Sequence, residues 1–282
     1  MTIDQETFFE NFAHLADASN GVRKLRELIL QLAVQGKLVP QDPNDEPASV
    51  LLAKIKAEKE RLVKEKKIRK TESLSMITAE EAPYELPQGW KWVRAQDIML
   101  SITDGDHLPP PKSPTGIPLL VIGNVRSGKL DFTDTRHVIE RYFESVDESR
   151  KPRKGDLLYT LVGSYGIPVI IDSDTDFCVQ RHIGILKPSA HIANRYLLNL
   201  YGSTLVFDQA THVATGIAPK TVPLSGLRKM IMPLPPLTEQ HRIVAKVDQL
   251  MALCDTLAVR LSKFQAKAEK LTSAAVQTLL AA

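Results

Sequence analysis

The run that follows Pro236 contains no proline and no glycine, so one uninterrupted helix can extend from residue 238 to residue 282. Three prolines stiffen the strand exit before it, and Thr238 is the predicted N-cap. Apolar or small side chains then recur at alternating steps of four and three residues, at Ile243, Val247, Leu250, Cys254, Leu257, Leu261, Phe264, Ala268, Leu271, Ala275 and Thr278. This heptad seam predicts a coiled-coil helix of roughly 65 Å at about 1.5 Å per residue.

The core of a 282-residue chain does not need a helix of that length. We therefore expect the seam to pack along a partner helix, in this chain or in another. The residues predicted to make this contact are Ile243, Val247, Leu250, Leu257, Leu261, Phe264 and Leu271. The alternative is a long amphipathic helix that lies on its own domain.

Composition divides the chain into three parts. Residues 1–82 hold only three of the 18 prolines and show helical spacing, whereas residues 83–237 hold 15 prolines and 12 of the 14 glycines. In the middle part, short apolar runs lie between turn residues, which indicates strands and large loops. Residues 238–282 form the long helix. The predicted fold class is α+β, with an irregular strand-rich domain between N-terminal helices and a C-terminal coiled-coil helix.

Three shorter helices are predicted outside this long one. Apolar spacing favours a helix at about 21–35 that stops at Gly36, and another at about 48–70. The second ends in residues 54–70, which carry nine basic and three acidic side chains. This end is a solvated face with i,i+4 pairs, or it contacts a DNA backbone or a partner. The third helix is predicted near 191–210.

The overall charge is close to balanced, at +3, so composition alone does not predict nucleic-acid binding. Any contact with DNA must come from basic residues that cluster locally on loops. The two cysteines, Cys178 and Cys254, form no CxxC pair, which excludes a cysteine-rich zinc site and a disulfide framework. Neither a cationic leader nor an apolar run of about 18 residues is found, so we expect a soluble cytoplasmic protein.

The motifs that resemble catalytic or metal sites each lack an essential residue. GNVRSGKL (123–130) has Leu130 where a phosphate-binding loop needs a hydroxyl, and we expect a strand–turn–strand there. DSDTDF (172–177) has Phe177 where a calcium loop needs glycine. The seven histidines show no metal-ligand spacing, and Ser164 lacks a nucleophile elbow. We therefore predict that the chain has no catalytic residues, no metal site and no activity of its own.

The candidates for DNA contact are polar and cationic residues on loops of the middle part. A proline-rich loop at 103–114 presents a carboxylate and two basic residues, and the Gly-Ser-Tyr-Gly turn at 163–166 leaves its tyrosine free to lie on a sugar or a base. An Arg-His pair interrupts an apolar strand, and residues 211–220 form a second polar loop. The predicted set is Asp106, His107, Lys112, Arg126, Lys129, Ser164, Tyr165, Arg181, His182, Thr215 and Lys220.

Several segments together resemble one family. PLPPLTEQHRIVAKVDQLMALCDTL (233–257) resembles the segment that follows a target-recognition domain in the specificity (S) subunits of type I restriction–modification systems. Other segments occur in the order that is typical of that family. Residues 24–62 resemble its helical region, and LPQGWKWVRAQDI (86–98) resembles the entry to the recognition domain. The loops, strands and turns within that domain are resembled by TDGDHLPP (103–110), NVRSGKLDF (124–132), KGDLLYTLVGSYG (154–166) and VQRHIGILKP (179–188).

This resemblance implies a non-catalytic subunit that binds one part of a split, asymmetric site in double-stranded DNA and places the methyltransferase (M) subunits on it. S-adenosylmethionine then belongs to the M subunits, and ATP and Mg²⁺ to partner subunits, including the restriction (R) subunit that joins through M. Family members usually carry two recognition domains separated by two long antiparallel helices. This chain has one of each, so we expect a natural half-subunit or a protein cut after its first half.

Two further expectations concern assembly. Two copies that pack their long helices antiparallel would hold two recognition domains apart, so we expect self-association or ordering with M subunits. The competing interpretation is a non-enzymatic coiled-coil adaptor whose middle domain binds a protein.

Overall fold

The computed structural model describes residues 20–106 and 110–280. It opens with two helices, α1 at Gly21–Val34 and α2 at Ala48–Lys64. α1 ends as predicted, because Gly36 adopts a left-handed φ of 67° that a helix cannot continue through. α2 ends before the predicted residue 70, and Lys66 takes a φ of 57° just beyond it. The basic residues that follow α2 therefore lie in a turn, a bend and irregular chain, and not in a helix.

Short strands form three small sheets between these helices and the C-terminal helix. The strands are β1 at Lys91–Arg94, β2 at Met99–Asp104, β3 at Lys112–Ser113, β4 at Ile117–Leu120, β5 at Arg136–Val138, β6 at Leu157–Thr160, β7 at Pro168–Ile170, β8 at Cys178–Val179, β9 at Ile183–Pro188 and β10 at Ile231–Leu234. Their orders are β1-β10, β2-β9-β6-β7 and β3-β5-β4-β8. The pairs are antiparallel apart from β4 and β8, which run parallel. This mixture of helices and small sheets confirms the α+β prediction.

Short helices connect the strands: α3 at Ala95–Ile98, α4 at Glu140–Ser145, α5 at Asn194–Tyr201, α6 at Thr204–Val213 and α7 at Leu224–Lys229. The single helix predicted near 191–210 is thus wrong in one respect, because α5 and α6 are separate. At the break, the Ser203 hydroxyl donates to the Leu200 carbonyl at 2.6 Å and replaces a helical amide donor. The strand–turn–strand predicted at 123–130 is a 3₁₀ turn at Ile122–Asn124 and further turns, and its flanking strands are β4 and β5.

The long C-terminal helix is α8, at Leu237–Leu280. The prediction that Thr238 is its N-cap is wrong, because α8 already begins at Leu237 and Thr238 lies inside its first turn. The Gln240 amide donates to the carbonyl of Pro236 at 2.9 Å, and the Thr238 hydroxyl donates to Asp45 at 2.5 Å. Thr238 therefore ties α8 to the linker that follows α1. In the described residues, no helix combines the length and the apolar character that a membrane span requires.

The principal hydrophobic core contains residues from α1, α2, the sheets and the first half of α8. Ile243, Val247 and Cys254 are buried in it with Leu25 and Ile29 of α1, and Leu250 and Leu257 pack half-buried against it. The first half of the heptad seam therefore has its partner helix within this chain.

The second half of the seam is uncovered. From residue 262 on, the described side chains of α8 are exposed, and Phe264 and Leu271 are 70% and 72% accessible. Ala275 and Thr278 lie outside the described side chains. At about 1.5 Å per residue, this exposed part of the helix is roughly 28 Å long. Its packing against a partner stays a prediction.

Candidate nucleic-acid interface

One edge of the β2-β9-β6-β7 sheet brings together loops from distant parts of the sequence. Because neighbouring strands run antiparallel, β2 and β6 end at the same edge where β7 and β9 begin. The loops there follow Asp104 and Thr160 and precede Pro168 and Ile183. We call this surface the loop edge and define it as residues 105–106, 161–167, 180–182 and 214–222.

Backbone hydrogen bonds connect these loops. The Leu161 amide donates to the His182 carbonyl at 2.9 Å, and the Gly163 amide donates to the Lys220 carbonyl at 2.9 Å. Thr215 and Thr221 exchange two further bonds of 2.8 Å. The structure therefore brings together three predicted groups: Ser164 and Tyr165, Arg181 and His182, and Thr215 and Lys220.

Tyr165 is fixed in this surface and is not free, as the sequence had suggested. Its ring stacks on Phe207 of α6 with centroids 5.8 Å apart and planes 17° from parallel, and its hydroxyl donates to Thr211 at 3.1 Å. The close approach depends on Gly166, which has a φ of 92°; an added Cβ there would lie 2.6 Å from the Phe207 ring. Ser164 beside it is exposed. The orientation of the Tyr165 ring and hydroxyl is therefore set by contacts with α6.

Beside the loop edge, a pocket of about 320 Å³ opens against the β3-β5-β4-β8 sheet. Its floor includes Leu119 and Val138, and its walls come from β3, β5 and the turn before β9. The polar lining residues are Asp106, Lys112, Arg136, His137, Gln180, Arg181 and His182. Four of these seven were predicted from the sequence, and they converge here although they lie up to 76 positions apart (106 to 182).

Asp106 is held by the scaffold at the side of this pocket. Its carboxylate accepts a hydrogen bond of 2.8 Å from the Tyr142 hydroxyl and lies 3.8 Å from the Arg150 guanidinium. Burial, together with the bond to Asp106, raises the pKa of Tyr142 well above its ordinary value, so Tyr142 remains a donor at neutral pH. A backbone bridge between Asp106 and Gln180 joins the loop that follows β2 to the turn that precedes β9.

Arg181 and His182 form a connected pair on this turn. Arg181 Nε donates to His182 Nε2 at 3.4 Å. Burial, and then the charge of Arg181, holds the pKa of His182 below its ordinary value of 6.5, so the imidazole is neutral at pH 7. The guanidinium stays exposed. This pair therefore contributes one permanent charge and one titratable group to the pocket.

Two predicted residues lie outside both the pocket and the loop edge, and one lies outside the described residues. Arg126 and Lys129 are exposed on a turn that Val125 anchors in a second hydrophobic cluster beside β9. They do not line the pocket, and their contact with DNA stays a prediction. His107 falls in the segment 107–109, which the structure does not describe.

The sequence reasoning missed Arg136, His137 and Gln180. A signal for the first two was present, because Arg-His followed by a β-branched residue occurs twice, at 136–138 and again at 181–183. Both copies line the same pocket. Repetition of a charged dipeptide next to a buried strand position was therefore informative. Gln180 carried no comparable signal.

Comparison with known proteins identifies the family. The family model described as "Type I restriction modification DNA specificity domain" matches residues 87–263, well over half of the chain. The chain belongs to the type I specificity family. This confirms the resemblance found in its sequence.

Members of this family from Escherichia coli are similar over most of the chain. The type I restriction enzyme EcoEI specificity subunit is 37% identical over 253 residues, which are 84% of this chain and 40% of that protein. The EcoAI specificity subunit is 36% identical over 251 residues, with 84% and 41% covered. The chain thus spans about two fifths of the length of these specificity subunits.

A solved structure supports the fold. The HsdS subunit from Thermoanaerobacter tengcongensis superimposes with a TM-score of 0.52 at 20% identity, covering 88% of this chain and 66% of that one. At this level of identity the likeness concerns the fold alone.

Proposed function

We propose that this chain recognises a DNA sequence as the reading subunit of a type I restriction–modification system. The observation that carries the proposal is the convergence of loops at one sheet edge, beside a pocket lined by Lys112, Arg136 and Arg181. Arginine and lysine both bind DNA phosphates, and arginine can also read guanine edges with its forked donors. A rigid sheet that presents such loops suits the reading of a duplex.

Backbone connections make the loop edge suitable for reading a sequence. The bonds from Leu161 to His182 and from Gly163 to Lys220 hold the loops in place before DNA arrives. Less conformational entropy is then lost on binding, which favours affinity and discrimination. The stacked Tyr165 has its orientation set in the same way.

The chemistry of the system is proposed to lie in partner subunits. The sequence has no complete phosphate-binding loop. It also has no Asn/Asp-Pro-Pro-aromatic loop, the motif with which amino-methyltransferases hold an extruded adenine. The chain's own contribution is therefore binding and placement. Methyltransferase subunits with S-adenosylmethionine, and restriction subunits with ATP and Mg²⁺ joined through them, are its expected partners.

Self-association is the second part of the proposal. The exposed Phe264 and Leu271 continue a seam whose first half is buried within the chain. Two copies that pack these ends antiparallel would cover both apolar stripes. Each copy would then read one half of a split, palindromic site.

The first experiment identifies the target. Methylome sequencing of a host that carries this chain with its cognate methyltransferase subunit should reveal one modified motif. The duplex with that motif should then bind the purified complex at least about 1,000-fold more tightly than a scrambled duplex, with affinity that falls steeply with salt. Equal binding of both duplexes would refute the proposal and favour a protein-binding adaptor.

A further inference from the structure

We propose that the pocket beside the loop edge binds a single phosphate group, which in the complex with DNA is one backbone phosphodiester. This inference rests on the proposed function and specifies which part of the DNA the pocket holds. It concerns the charges of the lining, their ion pairs and the shape of the site.

The lining has an excess of positive charge. Three permanently charged side chains, from Lys112, Arg136 and Arg181, face one carboxylate, that of Asp106. Arg150 lies 3.8 Å from this carboxylate and Tyr142 donates to it, so much of its charge is already compensated. An anion that enters the pocket would offset the remaining cations.

Ion pairing divides the cations of the middle domain into two groups. Arg94 pairs with Glu81 at 2.9 Å, Arg153 with Asp176 at 2.5 Å, and Lys187 with Asp156 at 2.6 Å. Within residues 20–106 and 110–280, by contrast, Lys112, Arg136 and Arg181 form no ion pair with a carboxylate; Arg181 donates to His182 instead. These three side chains therefore belong to the group that no described carboxylate pairs with, and they line one pocket together.

Shape separates a phosphate from a base as the ligand. Base edges lie at the bottom of a groove about 8.5 Å deep, so a protein reads them with protruding groups. Phosphates form the raised rims of the groove and can enter a recess. A guanine edge would also satisfy only one arginine and bring no net charge. A phosphodiester brings one negative charge and two free oxygens, which suit several donors.

The proposal divides the surface into two parts. The pocket would fix the position of the protein on the backbone, while the neighbouring loop at 214–220 enters the groove. That loop protrudes, because Ile217 is 99% accessible and both Thr215 and Lys220 are exposed. An apolar side chain at the tip suits contact with a thymine methyl group.

The test couples a change in the protein to a change in the DNA. Arg136→Gln and Arg181→Gln each remove one pocket charge from an exposed position. Lys154→Gln is the control for loss of a charge away from the pocket, because Lys154 is an exposed cation, paired with Asp174 at 2.7 Å, that precedes β6 at the opposite edge of the β2-β9-β6-β7 sheet. Each protein, assembled with its methyltransferase subunits, is titrated with duplexes in which one phosphate at a time is replaced by a neutral methylphosphonate.

For wild type and Lys154→Gln, we expect replacement of one particular phosphate to weaken binding about 10- to 100-fold. For the two arginine variants, the same replacement should cost severalfold less than in wild type, because one of the three cations that meet this phosphate is already gone. Their salt dependence should also be less steep by about one unit of slope. If the variants and wild type lost affinity in parallel at every position, while still preferring the target duplex, the phosphate assignment would be overturned and the proposed function would stand.

A second measurement examines the pocket without DNA. Imidazole signals of His137 and His182, followed by nuclear magnetic resonance, should shift on titration with inorganic phosphate in wild type, and much less in Arg136→Gln. The signals could shift with inorganic phosphate while wild type and the arginine variants respond alike to every methylphosphonate. That combination would overturn the DNA backbone as the source of the phosphate and indicate a free phosphate compound. Unchanged signals in wild type would count against a phosphate site.

Discussion

The two halves of the α8 seam differ in burial, and a matched pair of substitutions should separate their roles. Ile243 is fully buried in the chain's own core, whereas Leu271 is 72% accessible on the same seam. We expect Ile243→Ala to destabilise the fold of each copy. We expect Leu271→Ala to leave that fold intact and to weaken association between copies.

The magnitudes follow from burial. Ile243→Ala removes three buried carbons and leaves a cavity, which should lower the free energy of unfolding by about 3 kcal/mol. Leu271→Ala at an exposed position should change that free energy by less than about 0.5 kcal/mol. In an antiparallel dimer each copy would bury one Leu271, so the two truncations together would cost about 3 kcal/mol, roughly a hundredfold in Kd.

Urea denaturation of dilute protein measures the first effect, and light scattering or sedimentation at tens of micromolar measures the second. Leu271 is a better probe than Leu257, because Leu257 already packs against the chain's own core. Equal destabilisation of the monomer by both substitutions would refute the difference in burial. An unchanged Kd for Leu271→Ala would refute self-association through the exposed half of the helix.

Three further predictions concern the scaffold and the loop edge. Glu239 accepts hydrogen bonds of 2.8 Å from Trp90 and from Gln41, so Glu239→Ala should lower the free energy of unfolding by about 1–3 kcal/mol in urea titrations; an unchanged midpoint would contradict this. Burial raises the pKa of Glu239, so the contribution of this group to stability is greatest below about pH 4.5 and is lost as pH rises through the folded-state pKa. The difference in unfolding free energy between wild type and Glu239→Gln should therefore change across that pH range. A constant difference would disprove the shift. Gly166→Ala should displace Phe207 and lower the affinity for target DNA about tenfold, as measured by fluorescence anisotropy. The control Gly89→Ala, at a glycine with a similar φ of 84° and no close contact, should preserve binding. Equal affinities of the two variants would show that the stack of Tyr165 on Phe207 is unimportant for DNA binding.

Local patterns predicted those parts of the fold that local chemistry decides. The first helix could be placed because a periodic apolar stripe meets Gly36, and the long helix because no proline or glycine interrupts residues after Pro236. The end of α2 could not be placed in the same way. Its charged residues have good helix propensity, and nothing within 64–70 shows where the chain leaves the helix.

Contacts between distant segments explain why the candidate site was only partly predicted. Loop position suggested Arg181 and Lys220, but the bond that joins Gly163 to Lys220 links residues 57 positions apart in sequence (163 to 220). Arg136 and His137 enter the pocket because β5 pairs with both β3 and β4. Such pairing is decided by tertiary packing and not by the residues around each strand. The sequence therefore predicted several of the loops that lie together, but not all of the side chains that meet in the pocket.

The loops of the loop edge are joined through main-chain atoms, from Leu161 to His182 and from Gly163 to Lys220. A substitution at Arg181, Thr215 or Lys220 leaves those amides and carbonyls unchanged, and all three side chains are exposed. Such changes should cost the fold little, within about 0.5 kcal/mol each. If the proposed function holds, a lineage can therefore exchange these side chains and acquire a new DNA target, while the β2-β9-β6-β7 sheet stays as it is.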